Sequence, residues 1–407
     1  MPHALAFAVE VATTVLTVAG IGYFLAALVA ARIFIRERRR AAQAAPAPAL
    51  HGLDSHGPNP NEPDAGAPGV SILKSLKGLD PGMLDAFRSH CVQTYAGDYE
   101  LLFGISDAAE PAAEAVRQLQ REFPDRAIRI IDCPQRLGTN GKVSTLAQMV
   151  PEARYDFLLI NDSDITVSPR YLERVMRPFA DPQVGMVTAL YRGKAHRTLA
   201  SRFEALGIAT DFQAGVLLSK MIEGGLKYGL GSTLAVRRVA LERIGGYAAL
   251  ADYLADDYEL GARVAQAGYR VALTGEVVET GVPAYGWRGF ADHQMRWLRT
   301  VRDARPWGYA GLIFTHGLAW AVVNVVVSGV SPLSLWLLAL SFFLRLALAM
   351  TLSTEVLGDR QALAHLWLLP VRDIVALGLW AAGFAGDEIV WRGERFRVKN
   401  GKLSQVG

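Results

Sequence analysis

The chain carries carboxylates in three places where their spacing could do chemistry: Asp107, the pair Asp162 and Asp164, and the pair Asp256 and Asp257. Each stands at the edge of an apolar run. Asp107 closes YELLFGISD, Asp162 and Asp164 close DFLLINDSDI, and Asp256 and Asp257 open DDYELGARVAQAG. Two carboxylates one residue apart can offer oxygen ligands to a divalent cation. A plainer reading stands beside this one. Asp, Asn and Ser also favour turns, which would account for Asp107 and for the NDSD stretch. Asp256 has a structural explanation too, because Glu259 three residues on completes a capping box; Asp257 is left without one. A basic counterpart lies in FADHQMRWLRTVRDARP, where Arg296, Arg299, Arg302 and Arg305 recur every third residue on one side of a helix. That row suits phosphate oxygens, and it equally suits a face laid against anionic lipid.

The elements that must position these groups are legible as alternating strands and helices. VSILKSLKG, YELLFGISD, AIRIIDCP, DFLLINDSDI and GMVTALYRG read as strands, with helices expected over residues 111–123, 143–149 and 169–179. Such alternation implies a mostly parallel, doubly wound sheet, which binds ligands at the carboxyl ends of its strands. Residues 199–220 are apolar but interrupted by Arg202, Glu204, Asp211 and Gln213, which fits a helix lying on a membrane surface or against the sheet. GGLKYGLGSTLAVRR supplies a glycine-rich turn and a further strand, and a helix and a helix–strand unit follow. RLGTNGKVS fails as a phosphate loop because Arg136 holds the position that needs Gly. Gly225, Gly229 and Gly231 fail as a dinucleotide fingerprint because a strand follows them.

Both ends of the chain are apolar. Residues 11–31 carry no charge and can cross a bilayer as a helix, and Arg32, Arg36, Arg38, Arg39 and Arg40 follow at once. Basic residues behind the apolar run indicate a retained anchor with its C-terminal side in the cytoplasm. The expected organisation is an anchor and basic flank over 1–40, a flexible linker over 41–69, a soluble α/β domain over 70–305, membrane helices over 306–390 and a basic tail over 391–407. Within the membrane block, residues 361–386 either span or form a re-entrant segment, since Pro370, Arg372 and Asp373 interrupt them. A basic tail suggests a cytoplasmic C-terminus, whereas three crossings after a cytoplasmic domain would place it outside. His316 and His365 read as packed or interfacial rather than as metal ligands. The 407 residues carry a net charge of +3, so nothing points to nucleic acid as a partner. Cys91 and Cys133 have no metal-ligand spacing and read as buried thiols.

Taken together, Asp107, the DSD at 162–164, the second aspartate of ADDYELG and the RW of HQMRW resemble the spaced signature of GT-A-fold, processive-type glycosyltransferases. SILKSLKGLDPG, NGKVSTL, NDSDI and GIATDF look specifically like ceramide glucosyltransferases and their bacterial relatives, including hopanoid-pathway glycosyltransferases. The resemblance runs from about residue 70 to the C-terminus. It implies a Rossmann-like GT-A domain between an N-terminal transmembrane anchor and a C-terminal membrane block. Asp107 would contact the nucleotide of a UDP-sugar, with Lys142, Asp162 and His293 also at the nucleotide-sugar. Asp164, with Asp162 nearby, would hold a divalent cation, Mg or Mn. Asp257 would be the general base, and Arg296 and Trp297 would close over the diphosphate and the acceptor. His293 departs from the family pattern, which has Gln or Arg there. With a single base and no covalent nucleophile beside it, the reaction expected is one displacement with inversion. The acceptor implied is the hydroxyl of a membrane lipid, ceramide-like or hopanoid. The location implied is the inner membrane, with the catalytic domain facing the cytoplasm. A polysaccharide synthase would need more spans, and a non-catalytic scaffold would have lost the acidic positions.

Overall fold

Short runs of buried β-branched and aliphatic residues set the frame. A computed structural model describes residues 2–43, 67–80, 82–107, 109–391 and 394–405. The expected linker falls largely on residues 44–66, outside the described residues. By its internal contacts the chain divides into two units, Glu37–Tyr191 with Glu223–Gly281, and Met1–Arg36 with Arg192–Ile222 and Val282–Gly407.

The first unit is built on a seven-stranded sheet. Its strands are β1 (Val70–Ser75), β2 (Tyr99–Ile105), β3 (Ala127–Asp132), β4 (Phe157–Ile160), β5 (Val184–Ala195), β6 (Leu234–Arg237) and β7 (Arg270–Val282), in the spatial order β3-β2-β1-β4-β6-β5-β7. The pairs β3–β2, β2–β1 and β1–β4 are parallel, and β6 runs antiparallel to both β4 and β5. All five strands expected from sequence are present. Helices Met83–Cys91, Ala112–Glu122 and Gly141–Met149 make the crossovers that parallel pairing demands. The chain winds outward from β1 through β2 to β3, then returns to place β4 on the other side of β1. The winding reverses between β1 and β4, and the crevice beyond their carboxyl ends is where such sheets bind ligands. β4 is buried at every residue, as a central strand must be.

The second unit gathers the apolar helices. Among the described residues two helices, Ala4–Gln43 and Pro332–Val356, are long and apolar enough to cross a membrane. A bent pair, Pro306–Thr315 and Gly317–Val327, makes a third if counted as one span. Leu333, Trp336, Leu340 and Phe343 stay exposed on the second helix, as lipid-facing residues would. The N-terminal helix meets the bent pair closely: Gly20 and Gly317 lie backbone to backbone with no room for a Cβ, and the Thr13 and Thr14 hydroxyls donate to Asn324 Oδ1 at 2.9 and 3.0 Å. Small residues and a shared polar group hold helices together where hydrophobic exclusion cannot.

Residues 361–386 do not form one long helix. They break into Arg360–Ala364, a turn at Leu366–Leu368, and Leu369–Ala382. The last has 14 residues, about 21 Å at about 1.5 Å per residue, too short for a hydrocarbon core of about 30 Å. The described residues of the expected tail, with 388–390 from the end of the expected membrane block, form an antiparallel sheet of Glu388–Trp391, Glu394–Lys399 and Lys402–Gln405. Arg299 and Arg302, on helix Trp287–Ala304, donate to the carbonyls of Ala385, Glu388, Gly383 and Gly386 just before and within it. These two arginines are committed to backbone carbonyls, and the row expected to meet phosphate or lipid is divided.

Candidate active site

The carboxylates that end β4 are aimed by the residue before them. Asn161 is 1% exposed, and its amide nitrogen donates to the Ser232 carbonyl at 2.6 Å and to the Tyr171 hydroxyl at 2.9 Å. Its Oδ1 lies 3.2 Å from His90 Nε2. With Asn161 fixed, the chain leaves the strand in a defined direction. Asp162 Oδ1 sits 2.8 Å from Lys142 Nζ, while Asp164 Oδ2 accepts from the Thr280 hydroxyl at 2.6 Å and the Gly281 N–H at 2.9 Å. Burial and the neighbouring Asp162 raise the pKa of Asp164 above the ordinary carboxylate value.

Lys142 gathers the second acidic pair. Asn140 caps helix Gly141–Met149, its side chain accepting from Val143 N at 3.2 Å and donating to the Tyr253 carbonyl at 2.8 Å. The cap places Lys142 in the first turn, where its ammonium also lies 3.5 Å from Asp256 Oδ2. Burial works against this charge, yet Asp162 and Asp256 outweigh it and raise the Lys142 pKa. The expected capping box does not form. The helix Asp256–Gln266 is capped at Ala255 without a side chain, Glu259 pairs with Arg263 at 3.2 Å, and Asp256 turns to Lys142. Asp256 is taken up by the ion pair with Lys142, and the first-turn Tyr258 N–H goes to Asp257 Oδ1 instead.

Asp257 is held by two backbone donors, Gly231 N–H to Oδ2 and Tyr258 N–H to Oδ1, both at 2.8 Å. A Cβ at Gly231 would stand 3.0 Å from Asp257 Oδ2, so the carboxylate would have to give by a few tenths of an ångström, and 3.8 Å from Asp162 Oδ2. Asp162 and Asp257 therefore flank the same stretch of backbone. Burial, and then the adjacent Asp256, push the Asp257 pKa up to about 6. That value suits a base working near neutrality, mostly ionised and still able to hold a proton.

Lys74, on β1, is fully buried and donates to the Asp162 carbonyl at 3.1 Å. Burial lowers its pKa to about 7, against the pull of Asp164 and Asp162. The same burial, with Lys74 alongside, drives His90 well below its ordinary value. Asp107 is exposed at the end of β2. Its Oδ1 accepts from Ala109 N–H at 2.9 Å and its carbonyl from Glu110 N–H at 3.0 Å, so it shapes a turn as well as ending a strand.

His293, Arg296 and Trp297 belong to the second unit, on helix Trp287–Ala304. His293 Nδ1 lies 2.7 Å from Glu204 Oε1 and 3.3 Å from the Tyr285 hydroxyl. Trp297 packs 5.1 Å from the His293 ring and 6.0 Å from Phe212, centroid to centroid. Arg296 is partly buried one residue before it.

Among the described residues no three His, Cys, Asp or Glu side chains group as a metal cage. Asp162 and Asp164 nonetheless fit a cation of the Mg2+ or Mn2+ kind, which binds through one or two carboxylates and completes its shell with water and substrate phosphates. Asp162 meets Lys142 through Oδ1, and Asp164 meets Thr280 and Gly281 through Oδ2.

The family profile for glycosyl transferase family 21 matches residues 13–404. The chain belongs to that family. Ceramide glucosyltransferase 1 of Caenorhabditis elegans is 23% identical over 356 residues, spanning 84% of this chain and 74% of that protein. Ceramide glucosyltransferase 3 of the same organism is 25% identical over 237 residues, 58% of this chain, and the chain spans about half, 51%, of its length. A mannosyltransferase of Pyrobaculum calidifontis, solved in complex with GDP-Man and Mn2+, superposes with a TM-score of 0.50 at 19% identity, covering 91% of this chain and 97% of that one. This likeness carries the GT-A fold expected for a glycosyl transferase family 21 chain.

Sequence reasoning named Lys142, the aspartates and His293, and missed what holds them: Lys74, Asn161, Gly231 and Thr280 for the first two, and Glu204 for His293. Lys74 had a signal, a charge inside the strand run VSILKS. Gly231 and Thr280 had none, because their partners lie far away in sequence.

Proposed function

We propose that the protein transfers a hexose, glucose or N-acetylglucosamine, from a UDP-sugar to a hydroxyl of a membrane lipid, inverting the anomeric centre. The observation that carries this reading is Asp257, held by two N–H groups with its pKa raised to about 6, beside the Lys142–Asp162 pair at the strand ends. The Asp257 carboxylate takes the proton of the acceptor hydroxyl while that oxygen bonds to the anomeric carbon. The bond from that carbon to the diphosphate breaks, and UDP leaves with the electron pair. Lys142 contributes positive charge near the leaving diphosphate, and Asp107 serves the nucleotide. Arg296 and Trp297 act at the diphosphate and acceptor, as the family pattern implies. A divalent cation on Asp164 and Asp162 would supply charge neutralisation for the diphosphate.

The ceramide glucosyltransferase relatives support a ceramide-like lipid acceptor; a hopanoid alcohol is the other acceptor that the sequence resemblance implies. The GDP-Man and Mn2+ in the Pyrobaculum enzyme support a nucleotide-sugar donor and a metal. The protein resides in the inner membrane with its catalytic domain facing the cytoplasm. The hydrogen bonds from Arg299 and Arg302 to residues 383–388 support a topology with the C-terminal sheet on the same side as helix Trp287–Ala304 and an even number of crossings between them. Mass spectrometry of lipids from a heterologous host expressing the chain, supplied with several UDP-sugars, tests the proposal. A new hexosyl- or N-acetylhexosaminyl-lipid is expected, and an unchanged lipid profile alongside folded, membrane-inserted protein would sink it.

A further inference from the structure

The C-terminal sheet gathers its charge on one face. Residues 391–407 hold five basic side chains, Arg392, Arg395, Arg397, Lys399 and Lys402, against one acid, Glu394. Strand alternation sorts them. Ile389, Phe396, Val398 and Leu403 are buried on the inner face of a sheet that packs on helix Trp287–Ala304, while Arg395, Arg397, Lys399 and Lys402 are exposed on the other face. The turn fixes this arrangement. Asn400 and Gly401 both have positive φ, 52° and 75°, as a tight two-residue hairpin turn requires. It sets Lys399 directly opposite Lys402, a pairing that like charges disfavour. Arg397 shares its charge with Asp387 at 3.2 Å and Glu388 at 3.3 Å.

The same hairpin is tied to the start of the membrane block. The Gly401 N–H donates to the Asp303 carboxylate in the last turn of helix Trp287–Ala304. Asp303 stands three residues before Pro306, where the apolar block begins, a reach of about 5 to 10 Å at about 1.5 to 3.3 Å per residue. An aromatic girdle starts there. Trp307 is 89% exposed, the Tyr309 hydroxyl donates to the Trp380 carbonyl at 2.6 Å, and Trp380 Nε1 donates to the Tyr309 carbonyl at 2.9 Å. Phe384 packs on both rings, with centroids 5.0 and 5.1 Å away. Trp and Tyr concentrate at the headgroup level of a bilayer. Phe384 in turn stands four residues before the first strand of the sheet, Glu388–Trp391. Two paths, through Asp303 and through Phe384, therefore bring the basic face to headgroup level. All of these residues belong to the second unit.

We propose that the face formed by Arg395, Arg397, Lys399 and Lys402 docks on anionic phospholipid headgroups of the leaflet on the side of helix Trp287–Ala304. An anionic leaflet attracts Lys and Arg that lie within a Debye length, about 8 Å at physiological salt. Lipid phosphates set between Lys399 and Lys402 also relieve their repulsion, since each phosphate accepts from both. A soluble acidic partner would meet the same charges, but its binding gives no reason to tie the hairpin tip beside the aromatic girdle. The inference goes beyond sugar transfer: it rests on residues 306–382 lying in a membrane and on nothing about the donor or the acceptor.

The test uses the full chain carrying Ser404→Cys, exposed on the basic face opposite Arg397, with a nitroxide attached; Cys91 and Cys133 are buried. The labelled protein is placed in bilayers of phosphatidylcholine alone and of a phosphatidylcholine–phosphatidylglycerol mixture. Electron paramagnetic resonance then reads how often the label collides with a neutral, water-soluble nickel chelate. Collisions should fall in the mixture and recover at high salt. Each Lys or Arg at an anionic surface is worth about fivefold in the docked population, so Arg395→Gln, Lys399→Gln and Lys402→Gln together should lower it about a hundredfold and erase the protection. Equal access in the two bilayers overturns the proposal, and that comparison decides if the triple variant does not fold. Protection that the triple variant keeps overturns it as well. So does protection produced in phosphatidylcholine by a UDP-sugar and not by phosphatidylglycerol, which would make the face a nucleotide surface. Protection in a protein that glycosylates no lipid would refute the function proposed above and leave the docking face standing.

Discussion

Replacing Asp257 by Asn separates catalysis from stability, because the structure predicts opposite effects on the two. The variant keeps size and shape but cannot take a proton. General-base assistance is worth about 10²- to 10⁴-fold in rate, so kcat should fall by about 3 to 5 kcal/mol of transition-state stabilisation, with a smaller change in the UDP-sugar KM. Stability should move little or rise. Asp257 has its pKa raised from 3.8 to about 6 by burial and by Asp256, so the ionised carboxylate destabilises the folded state. At about 1.36 kcal/mol per unit, removing that charge returns at most about 3 kcal/mol above pH 6. Against this, the Asn amide can accept from only one of the two N–H groups now bound, Gly231 or Tyr258, at a cost of about 1 to 3 kcal/mol. The sign fixes a pH window as well. The folded state holds this proton more tightly, so its contribution to stability is lost as pH rises from about 4 to about 6 and is constant on either side. In the wild type kcat/KM should climb through the same pH, about 6, as the base ionises. The assays are initial rates of UDP release with saturating lipid from pH 5 to 8, and thermal unfolding of both proteins in detergent. Near wild-type kcat in a folded Asp257→Asn protein would refute the base assignment. A loss of rate that tracks a loss of several kcal/mol in stability would refute the claim that the ionised carboxylate burdens the fold.

Three other perturbations test the surroundings. Lys142→Met removes the cation 2.8 Å from Asp162 and 3.5 Å from Asp256; Asp257 loses its largest pKa-lowering influence, and the acid limb of the pH–rate profile should move up by about one unit or more. Asp164→Asn should raise the Mn2+ concentration needed for half-maximal activity by at least about tenfold, the loss seen even for an outer-shell partner, and excess metal should restore part of the rate. Arg345→Met strips Asp373 of the guanidinium 2.8 Å away and leaves Asp211 with Arg372 alone; thermal unfolding in detergent should show a loss of about 3 to 5 kcal/mol.

Short-range pattern alone placed the strands and put Asp107 and the Asp162–Asp164 pair at strand ends. Alternation with helices and the fall from Phe157–Ile160 into NDSD are properties of a few neighbouring residues. The apolar spans were visible for the same reason, since crossing a bilayer is a matter of length and composition. Where two local signals competed, sequence could not choose. Asp256 and Glu259 match a capping box, and only the arrival of Lys142 from another helix turns Asp256 inward. Likewise Arg299 and Arg302 look like their neighbours along a basic face, until a folded C-terminal segment brings carbonyls to them. The tertiary structure alone decided that Gly231 cradles Asp257, that Thr280 and Gly281 hold Asp164, and that Glu204 meets His293 with one oxygen to spare. Those choices depend on desolvation and on partners supplied by distant strands and helices, and neither is encoded in spacing along the chain.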